Sequence, residues 1–284
     1  MISSELVSVV ITTYNRSDAL LAVLDGLSRQ TDRVFEVIVA DDGSSKDHQS
    51  LIFESHFAKV LRVIHVWHPD IGFTAARVRN RGVSASNGNY IIFLDGDCVP
   101  EIDFIAQHKA FARQGFYVNG SRVLLSPDFT KKVVNGSGNI CGRSMMFWLL
   151  QRFQGHANKL TGLLRFPDSS WRVQRKFSWK GIRSCNMAVW RKDFELVDGF
   201  DESFVGWGHE DADFVLRLHN AGVLRINGFC ATEVFHLWHR DAARDKESKN
   251  AMVVLTRSKS GATLSEMGFA QKRINDDVVI TRLG

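Results

Sequence analysis

The sequence Tyr90-Ile-Ile-Phe-Leu-Asp-Gly-Asp-Cys-Val-Pro100 decides how the rest of the chain is interpreted. Its four apolar residues at 91–94 show no polar alternation, which indicates a strand buried on both faces. Asp95 and Asp97 follow at the carboxyl end of that strand, where open α/β sheets bind their ligands. Carboxylates spaced in this way can share one divalent cation, or divide between the cation and a sugar hydroxyl. The alternative at this point is a solvated turn after a buried strand.

Three earlier strands precede this one, with helical stretches between them. Val7–Thr13 is a continuous, largely β-branched run, and Phe35–Ala40 and Val60–Trp67 predict the second and third strands. Leucines recur at helical spacing after Ser17, and Gly72–Ser86 is rich in helix formers. This alternation predicts a single globular α/β domain with a mixed, mostly parallel sheet flanked by helices.

Polar side chains follow three of these four predicted strands, at 13–16, at 41–42 and at the two aspartates. Parallel strands end on one edge of a sheet, so we expect these groups to meet in one crevice. A GxGxxG fingerprint and a Walker A loop are both absent from the sequence. A nucleotide bound here would therefore not be held by a glycine-rich loop.

Composition restricts the partners and the compartment. The chain has 284 residues and a net charge of +5, with a pI near 9.1, which favours anionic partners such as nucleotide phosphates or a membrane surface. No nucleic-acid-binding motif is present, so nucleic acid is not expected as a partner. No apolar run is long enough to span a bilayer, and Met1–Val7 lacks the order of a signal peptide. Four cysteines without a CxxC pair fit a reducing cytosol. We expect a cytoplasmic protein that can sit peripherally at the inner face of the membrane.

Residues 143–180 combine apolar and aromatic side chains with many basic ones, and Asp168 is the single acidic residue among them. Such a composition indicates a surface that meets an anionic, partly apolar partner, either a membrane or a lipid-linked saccharide. The alternative is a partly buried insertion whose basic side chains are simply solvated.

A second polar stretch, Phe204–Asp213, places two glycines around Trp207 in a loop that opens a helix. Glu210 and Asp211 would lie in the first helical turn, where carboxylates match the helix dipole. Three carboxylates in four residues exceed what dipole matching requires, so this stretch is a candidate for chemistry.

Late in the chain, a predicted strand at Ala231–Phe235 runs into His236 and His239. Two histidines within four residues after a strand form a candidate metal-ligand pair. In a continued strand they would face opposite ways, but a turn at Trp238 would let both converge.

The other predicted elements are weaker. Glu101–Arg113 predicts a helix, Phe116–Leu125 and Ser184–Arg191 predict strands, and Val223–Ile226 predicts a further strand. A polar helix is expected from about Asp241 to Arg257, and the tail after Lys259 is expected to be partly disordered.

Four motifs in the first half resemble the donor half of family 2 glycosyltransferases, which have the Rossmann-like GT-A fold. They are Val-Val-Ile-Thr-Thr-Tyr-Asn-Arg at 9–16, Asp-Asp-Gly-Ser at 41–44, Ala-Arg-Val-Arg-Asn-Arg-Gly at 76–82 and Phe-Leu-Asp-Gly-Asp at 93–97. The second half, from Asn186 to Asp211, is similar to β1,4-galactosyltransferases and bacterial chondroitin-type polymerases. His209 stands where that motif usually has its second glycine, which bears on the donor sugar rather than on the reaction class.

The resemblance implies an inverting, metal-dependent transfer of a hexose or N-acetylhexosamine from a UDP-sugar to a glycan. The basic-aromatic residues 143–180 suggest lipopolysaccharide, capsule or another lipid-linked saccharide as the acceptor. The resemblance implies a donor-binding set of Thr12, Thr13, Tyr14, Arg16, Asp42, Arg77, Arg79, Asp95 and Gly96. It assigns sugar or acceptor contacts to Trp207, Gly208, Glu210 and Asn186. It also implies Mn²⁺ or Mg²⁺ at Asp97, His236 and His239, where the cation neutralises the departing diphosphate.

Asp211 matches the position of the catalytic base, which removes the proton from an attacking hydroxyl. We expect the helix N-terminus to keep its pKa low. The implied organisation is a donor-binding half at 1–125, the basic-aromatic insertion at 126–183, an acceptor and catalytic half at 184–258, and a tail at 259–284.

Three alternatives remain open. A retaining UDP-sugar transferase would use the same site with different stereochemistry. A sugar-phosphate nucleotidyltransferase would need a glycine-rich loop with Arg and Lys after the first strand, which residues 12–16 lack. A non-catalytic glycan- or membrane-binding module would have no need of intact Asp95, Asp97 and Asp211.

Overall fold

The computed structural model describes residues 5–136, 138–160, 163–240, 247–270 and 277–284. Its main sheet contains nine of the twelve strands in these ranges, in the order β12-β3-β2-β1-β4-β9-β6-β10-β8. The strands of this sheet are β1 (Val7–Thr13), β2 (Phe35–Asp41), β3 (Ile64–Trp67), β4 (Tyr90–Asp95), β6 (Phe116–Asn119), β8 (Val173–Gln174), β9 (Asn186–Trp190), β10 (Leu224–Asn227) and β12 (Val279–Arg282). The strands β3, β2, β1 and β4 pair in parallel, while β9 runs antiparallel to β4. The predicted mixed sheet is confirmed.

Strands β1 and β4 form the centre of the molecule because both of their faces are covered. Val9 and Ile11 belong to the hydrophobic core on one face, with Ile92 of β4. Val10 and Phe93 belong to the core on the other face. Burial on both sides explains why these strands read as continuous apolar runs.

Helices flank both faces of the sheet. Apolar side chains of α1 and α5 enter the first core, and those of α4, α8 and α9 enter the second. The described helices are α1 (Ser17–Ser28), α2 (Lys46–Glu54), α3 (His56–Val60), α4 (Ala75–Ser84), α5 (Phe104–Phe111), α6 (Pro127–Val134), α7 (Met145–Phe153), α8 (Arg191–Leu196), α9 (Glu210–Asn220) and α10 (Glu247–Arg257). None of these helices is both long and apolar enough to cross a membrane.

A smaller sheet covers the carboxyl end of β4. It contains β5 (Cys98–Pro100), β11 (Glu233–His236) and β7 (Ser121–Leu124), with β11 in the middle. β11 pairs antiparallel with β5, and His236 lies opposite Cys98. This pairing brings the end of β11 beside the turn that contains Asp97.

The prediction of one strand at Phe116–Leu125 is wrong, since the chain changes sheets at Gly120. β6 stays in the main sheet and β7 enters the smaller one. A Cβ atom at Gly120 would lie 2.2 Å from Cγ of Asn186. Only glycine fits here, because the two backbones and the amide side chain meet at this point.

Two other predictions need correction, and a third lies partly outside the described residues. The third strand begins at Ile64 rather than Val60, because residues 56–60 form α3. The tail contains β12, which extends the main sheet beside β3, so it is ordered at that end. α10 begins at Glu247, and the predicted helical residues 241–246 lie outside the described ranges.

Candidate active site

The carboxyl ends of β1, β2 and β4 open into a cleft of about 760 Å³. This volume lies in the range of small-molecule binding pockets. Most of the residues predicted for donor and metal binding line it. The lining includes Thr12, Thr13, Tyr14, Arg16, Asp42, Arg79, Asp95, Gly96, Asp97, Trp207, His236 and His239.

Asp95, the last residue of β4, is held by its neighbours in the sheet and in α4. Its Oδ1 accepts a hydrogen bond from the Thr12 hydroxyl at 2.8 Å and one from Arg79 Nη2 at 3.2 Å. The carboxylate is about one-third exposed. It therefore faces the cleft in a fixed orientation and retains accepting capacity for a ligand.

Arg79 joins the two halves of the site. Its Nη1 donates to Glu210 Oε1 at 3.0 Å, while its other terminal nitrogen contacts Asp95. Burial opposes the charge of this guanidinium, but the two carboxylates raise the pKa of Arg79 above its ordinary value. Arg77, the other predicted candidate, is not among the residues that line the cleft.

Asp97 meets both histidines of the predicted metal-ligand pair. Its Oδ2 lies 3.1 Å from His239 Nε2 and 3.8 Å from His236 Nε2. The Leu237 amide donates to the Asp97 carbonyl at 2.8 Å, which ties the end of β11 to this turn. Asp97 and the two histidines are distant in the sequence, but their side chains meet in the folded chain.

The chemistry of this donor set fits a divalent cation. A carboxylate and two imidazoles suit Mn²⁺, and carboxylate oxygens suit Mg²⁺ as well. Burial alone would raise the pKa of Asp97, but the His239 hydrogen bond and the charges of both imidazoles hold it below its ordinary value. The same hydrogen bond raises the pKa of His239 to about 9. The proton on His239 occupies the position that a cation would take on binding.

Cys98 lies in the same group, within 4.8 Å of the donor atoms of Asp97 and His236. Burial raises the pKa of its thiol well above the ordinary value. A protonated thiol is a poor ligand for Mn²⁺ or Mg²⁺. Its contact with Asp97 Oδ1, at 3.5 Å, instead supports the carboxylate.

Gly96 sets the spacing of the two aspartates. Its amide donates to the Thr12 carbonyl at 2.8 Å. A Cβ atom at this position would lie 2.9 Å from that carbonyl oxygen. A glycine here lets the chain pass close to β1 and turn, so that Asp95 and Asp97 share the cleft.

The far end of the cleft contains Asp42 and Tyr14. Asp42 is buried and accepts hydrogen bonds from both the amide and the hydroxyl of Thr74. The Tyr14 hydroxyl donates to Asp70 Oδ2 at 2.8 Å. Asp70 is exposed and lines the cleft, so it offers a carboxylate to a ligand more directly than Asp42 does.

Asp211 lies in the first turn of α9, next to Glu210, and neither residue is among those that line the cleft. Asp211 Oδ2 accepts a long hydrogen bond from the Ser184 amide at 3.4 Å. Burial of the carboxyl group and the adjacent charge of Glu210 raise the pKa of Asp211 to about 7. The expectation of a low pKa was wrong, since burial and like charge outweigh the helix N-terminus.

The loop before α9 has the backbone conformation that its glycines suggest. Gly206, Gly208 and His209 all have positive φ, and His209 adopts the left-handed conformation with φ of 73°. His209 therefore occupies a glycine-like backbone position with a side chain attached. Trp207, between the two glycines, lines the cleft. Gly208 does not line it, and the Gly208 carbonyl instead accepts from Asn250 at 2.9 Å.

Asn186 does not reach the cleft. It is fully buried, and its amide contacts His108 at 3.0 Å and the Ser121 carbonyl at 2.9 Å. The structure thus gives Asn186 a packing function at the junction of the two sheets, in place of the predicted acceptor contact.

Several lining residues carried no signal that we recognised in the sequence. They are Asp70, Gly72, Phe73, Ala75, Val78, Arg122 and Arg240. The position of Arg122 follows from the change of sheets at Gly120, and Asp70 lies in an exposed loop. Asp70 could have been found by extending the strand-end argument past β3.

The sequence was next compared with known proteins. Residues 8–182 match the profile of glycosyl transferase family 2, which is more than half of the chain. The chain belongs to glycosyl transferase family 2. Residues 168–240 also match the profile described as the N-terminal domain of galactosyltransferase.

Relatives of this family 2 glycosyltransferase include longer enzymes. It is 28% identical to chondroitin synthase of Escherichia coli, over 76% of this chain and 32% of that protein. It is also 28% identical to validoxylamine A glucosyltransferase of Streptomyces hygroscopicus subsp. jinggangensis, over 77% of this chain and 52% of that protein. The chain thus spans between a third and about half of the length of these relatives.

Solved GT-A structures share the fold at low identity. GalNAc-T7 with UDP, GalNAc and Mn²⁺ aligns with a TM-score of 0.61 at 15% identity, covering 89% of this chain and 48% of that one. The mannosyltransferase PcManGT from Pyrobaculum calidifontis, in complex with GDP-Man and Mn²⁺, aligns at 0.58 and 15% identity, covering 89% and 64%. These neighbours confirm the GT-A fold of the family 2 enzyme.

Proposed function

We propose that this enzyme is an inverting, metal-dependent glycosyltransferase that moves a hexose or N-acetylhexosamine from a UDP-sugar to a glycan hydroxyl. The observation that carries the proposal is the convergence of Asp95, Asp97, His236 and His239 in one cleft. The Mn²⁺-containing complexes among the structural neighbours support a divalent cation in this fold.

The donor would lie along the carboxyl ends of the parallel strands. Asp95, fixed by Thr12 and Arg79, would accept hydrogen bonds from ribose or sugar hydroxyls. Tyr14 and Asp70 lie at the other end of the cleft, where an exposed phenol and carboxylate suit a nucleoside. Arg16 also lines the cleft and adds positive charge for phosphate groups.

Asp97, His236 and His239 would hold Mn²⁺ or Mg²⁺. A bound divalent cation supplies positive charge that stabilises the departing UDP diphosphate. Hydrogen bonds from the Leu237 amide and the Cys98 thiol fix the position of Asp97.

Asp211 would act as the base that takes the proton from the acceptor hydroxyl as its oxygen attacks the anomeric carbon. A pKa near 7 suits this function better than a low one, since a stronger base accepts the proton more readily. The adjacent carboxylate, Glu210, is engaged by Arg79 at 3.0 Å. One available base, with no second carboxylate assigned as nucleophile, supports a single displacement with inversion.

The acceptor would be a lipid-linked saccharide such as lipopolysaccharide or capsule, reached at an anionic membrane surface. The exposed side of α7 supports this part of the proposal. Met146, Leu149, Leu150 and Phe153 recur at helical spacing, and Phe153 is 92% exposed. Arg143 and Arg152 flank this apolar face, a combination typical of helices that lie in a membrane interface.

UDP release with a panel of UDP-sugars and Mn²⁺ tests the core of the proposal. Turnover is expected with one UDP-hexose or UDP-N-acetylhexosamine, and it should depend on added cation. Normal turnover in both Asp97→Ala and Asp211→Asn would overturn the assignment. NMR of the product distinguishes inversion from the retaining alternative, because the anomeric configuration differs.

A further inference from the structure

A second pocket, of about 260 Å³, lies beside the cleft between β7, β10 and the segment before β9. We call it the basic pocket, because four of its lining residues are cationic and none is acidic. The cations are Arg122, Lys159, Arg183 and Arg225. Asn119, Ser121, Asn158 and Asn227 add neutral polar groups, and Phe229 adds an aromatic surface.

The charges of the basic pocket are not neutralised within the described part of the chain. Lys159 Nζ donates to the Ser121 hydroxyl at 2.8 Å, and Arg225 Nη1 donates to the Lys180 carbonyl at 3.3 Å. Neither cation forms an ion pair with a described carboxylate. Both are partly buried, and burial lowers the pKa of each. Partly buried cations without a counter-charge lower the stability of the fold, and a bound anion would offset this cost.

Among the described carboxylates, Glu233 interacts electrostatically with Lys159 and raises its pKa, which opposes the effect of burial. It is buried and accepts hydrogen bonds from the amides of Cys230 and Ala231 at 2.8 and 2.9 Å. Burial raises the pKa of Glu233 to about 7. Its negative charge is therefore incomplete at neutral pH, and Arg165 Nη1 lies 3.9 Å from its Oε2.

The basic pocket is connected to both parts of the proposed reaction centre. Arg122 lines the basic pocket and the donor cleft at once. Arg183 immediately precedes Ser184, whose amide donates to Asp211 Oδ2. A group held by Arg122 and Arg183 would therefore border the donor cleft and the segment that contacts the proposed base.

We propose that the basic pocket binds an anionic group, a carboxylate or a phosphate, carried by the acceptor saccharide. The inference rests on the proposed function, since it names the substrate class for the acceptor side of that site. A volume below the usual 300–1,000 Å³ of a ligand pocket suits one charged sugar residue rather than a longer chain. Phe229 lines the same pocket, with Lys159 Nζ 5.3 Å from the centre of its ring.

Equilibrium titration of the full chain with glucuronate, glucose 6-phosphate and glucose tests this proposal. The titration is done with saturating UDP and Mn²⁺, so that the donor cleft is closed to the anionic probes. One or both anionic sugars should bind and glucose should bind at least tenfold more weakly, and the tighter anion identifies the group. UDP binding, measured in the same samples, reports on the proposed function separately.

Lys159→Gln and Arg183→Gln are each expected to weaken anion binding about tenfold, since each removes a charged partner. Arg175→Gln removes an exposed charge outside the pocket and should leave the affinity unchanged. Lys159→Arg should restore it, which separates loss of charge from misfolding. Equal binding of glucose, or unchanged affinity in both Gln variants, would overturn the proposal.

Discussion

At the scale of single residues, Asp211 combines its proposed function as a base with a cost in stability. Its pKa of about 7 lies far above that of an aspartate in an unfolded chain. The folded protein therefore binds a proton here that the unfolded chain has already released between about pH 4 and pH 7. The fold disfavours the ionised form of Asp211. This group therefore lowers the free energy of unfolding, and the full reduction is reached above pH 7.

Asp211→Asn should abolish transfer and at the same time raise the melting temperature above pH 7. The amide has the shape of the carboxylate without its charge beside Glu210 and within the buried site. The gain should disappear below about pH 4, where the wild-type group is protonated in both states. Thermal unfolding across pH, with single-turnover activity, checks the prediction, and a variant less stable than wild type at pH 8 would contradict it.

The wild-type enzyme should lose activity as the pH falls through about 7, because only the ionised form of Asp211 can accept a proton. Glu210 and Arg79 are the charged groups that act on it, and they contact each other at 3.0 Å. A pH profile of kcat/KM with excess Mn²⁺ measures this. A flat profile from pH 6 to pH 8 would remove Asp211 from the assignment as base.

His239→Ala should weaken Mn²⁺ binding by about 10–100-fold, since it removes an imidazole within 3.1 Å of Asp97. Calorimetric titration of the metal in the absence of nucleotide measures the change directly. His56→Ala removes an exposed histidine from α3 and serves as the matched control. Equal metal affinity in the two variants would show that His239 is not a ligand.

At the scale of elements, α7 has an unusual orientation of its apolar residues. Trp148 and Gln151 face the protein, and Met146 and Phe153 face outward. The double variant Leu149→Ser with Phe153→Ser should reduce binding to vesicles containing anionic phosphatidylglycerol by about tenfold or more, because burial of each side chain contributes about 1.5–3 kcal/mol.

Co-sedimentation with these vesicles, compared with neutral phosphatidylcholine vesicles, measures the effect. Leu51→Ser, which removes a comparably exposed leucine from α2, should bind as wild type does. Unchanged sedimentation of the double variant would mean that α7 does not contact the membrane.

How much could be predicted also differs between elements. β1 and β4 were predictable because burial on both faces leaves an unbroken apolar run. The division between β6 and β7 was not, because it depends on the Asn186 side chain that packs against Gly120. The aspartates and the histidine pair were visible as local patterns, but the contact between Arg79 and Glu210 depends on tertiary packing that no local pattern records.

At the scale of the whole molecule, a buried ionic cluster joins the second half to the C-terminal segment. Arg257 of α10 contacts Asp213 of α9 and Asp201, each at 2.7 Å. Arg217 contacts the other oxygen of Asp213 at 2.8 Å. The contact with Arg257 explains how Asp201 can be fully buried and not exposed at the surface.

Arg257→Ala should lower the free energy of unfolding by about 3–5 kcal/mol, because buried Asp201 loses this cation and buried Asp213 keeps only Arg217. Denaturant unfolding of the variant, followed by tryptophan fluorescence, tests this. Lys259→Ala removes an exposed cation from the same region and should change the stability little. A loss below 1 kcal/mol in Arg257→Ala would mean that Arg217 alone sustains the cluster.

The insertion of β11 between β5 and β7 has a consequence for biosynthesis. Both neighbours of β11 leave the ribosome earlier, so the smaller sheet cannot close until the strand that carries His236 has emerged. A nascent chain that ends before this strand contains Asp95 and Asp97 but lacks both imidazoles. If Asp97, His236 and His239 hold a divalent cation as proposed, the cation can stabilise the chain through all three ligands only after β11 has emerged. Binding of Mn²⁺ at these residues during translation would therefore show that β11 has been made and has joined the smaller sheet.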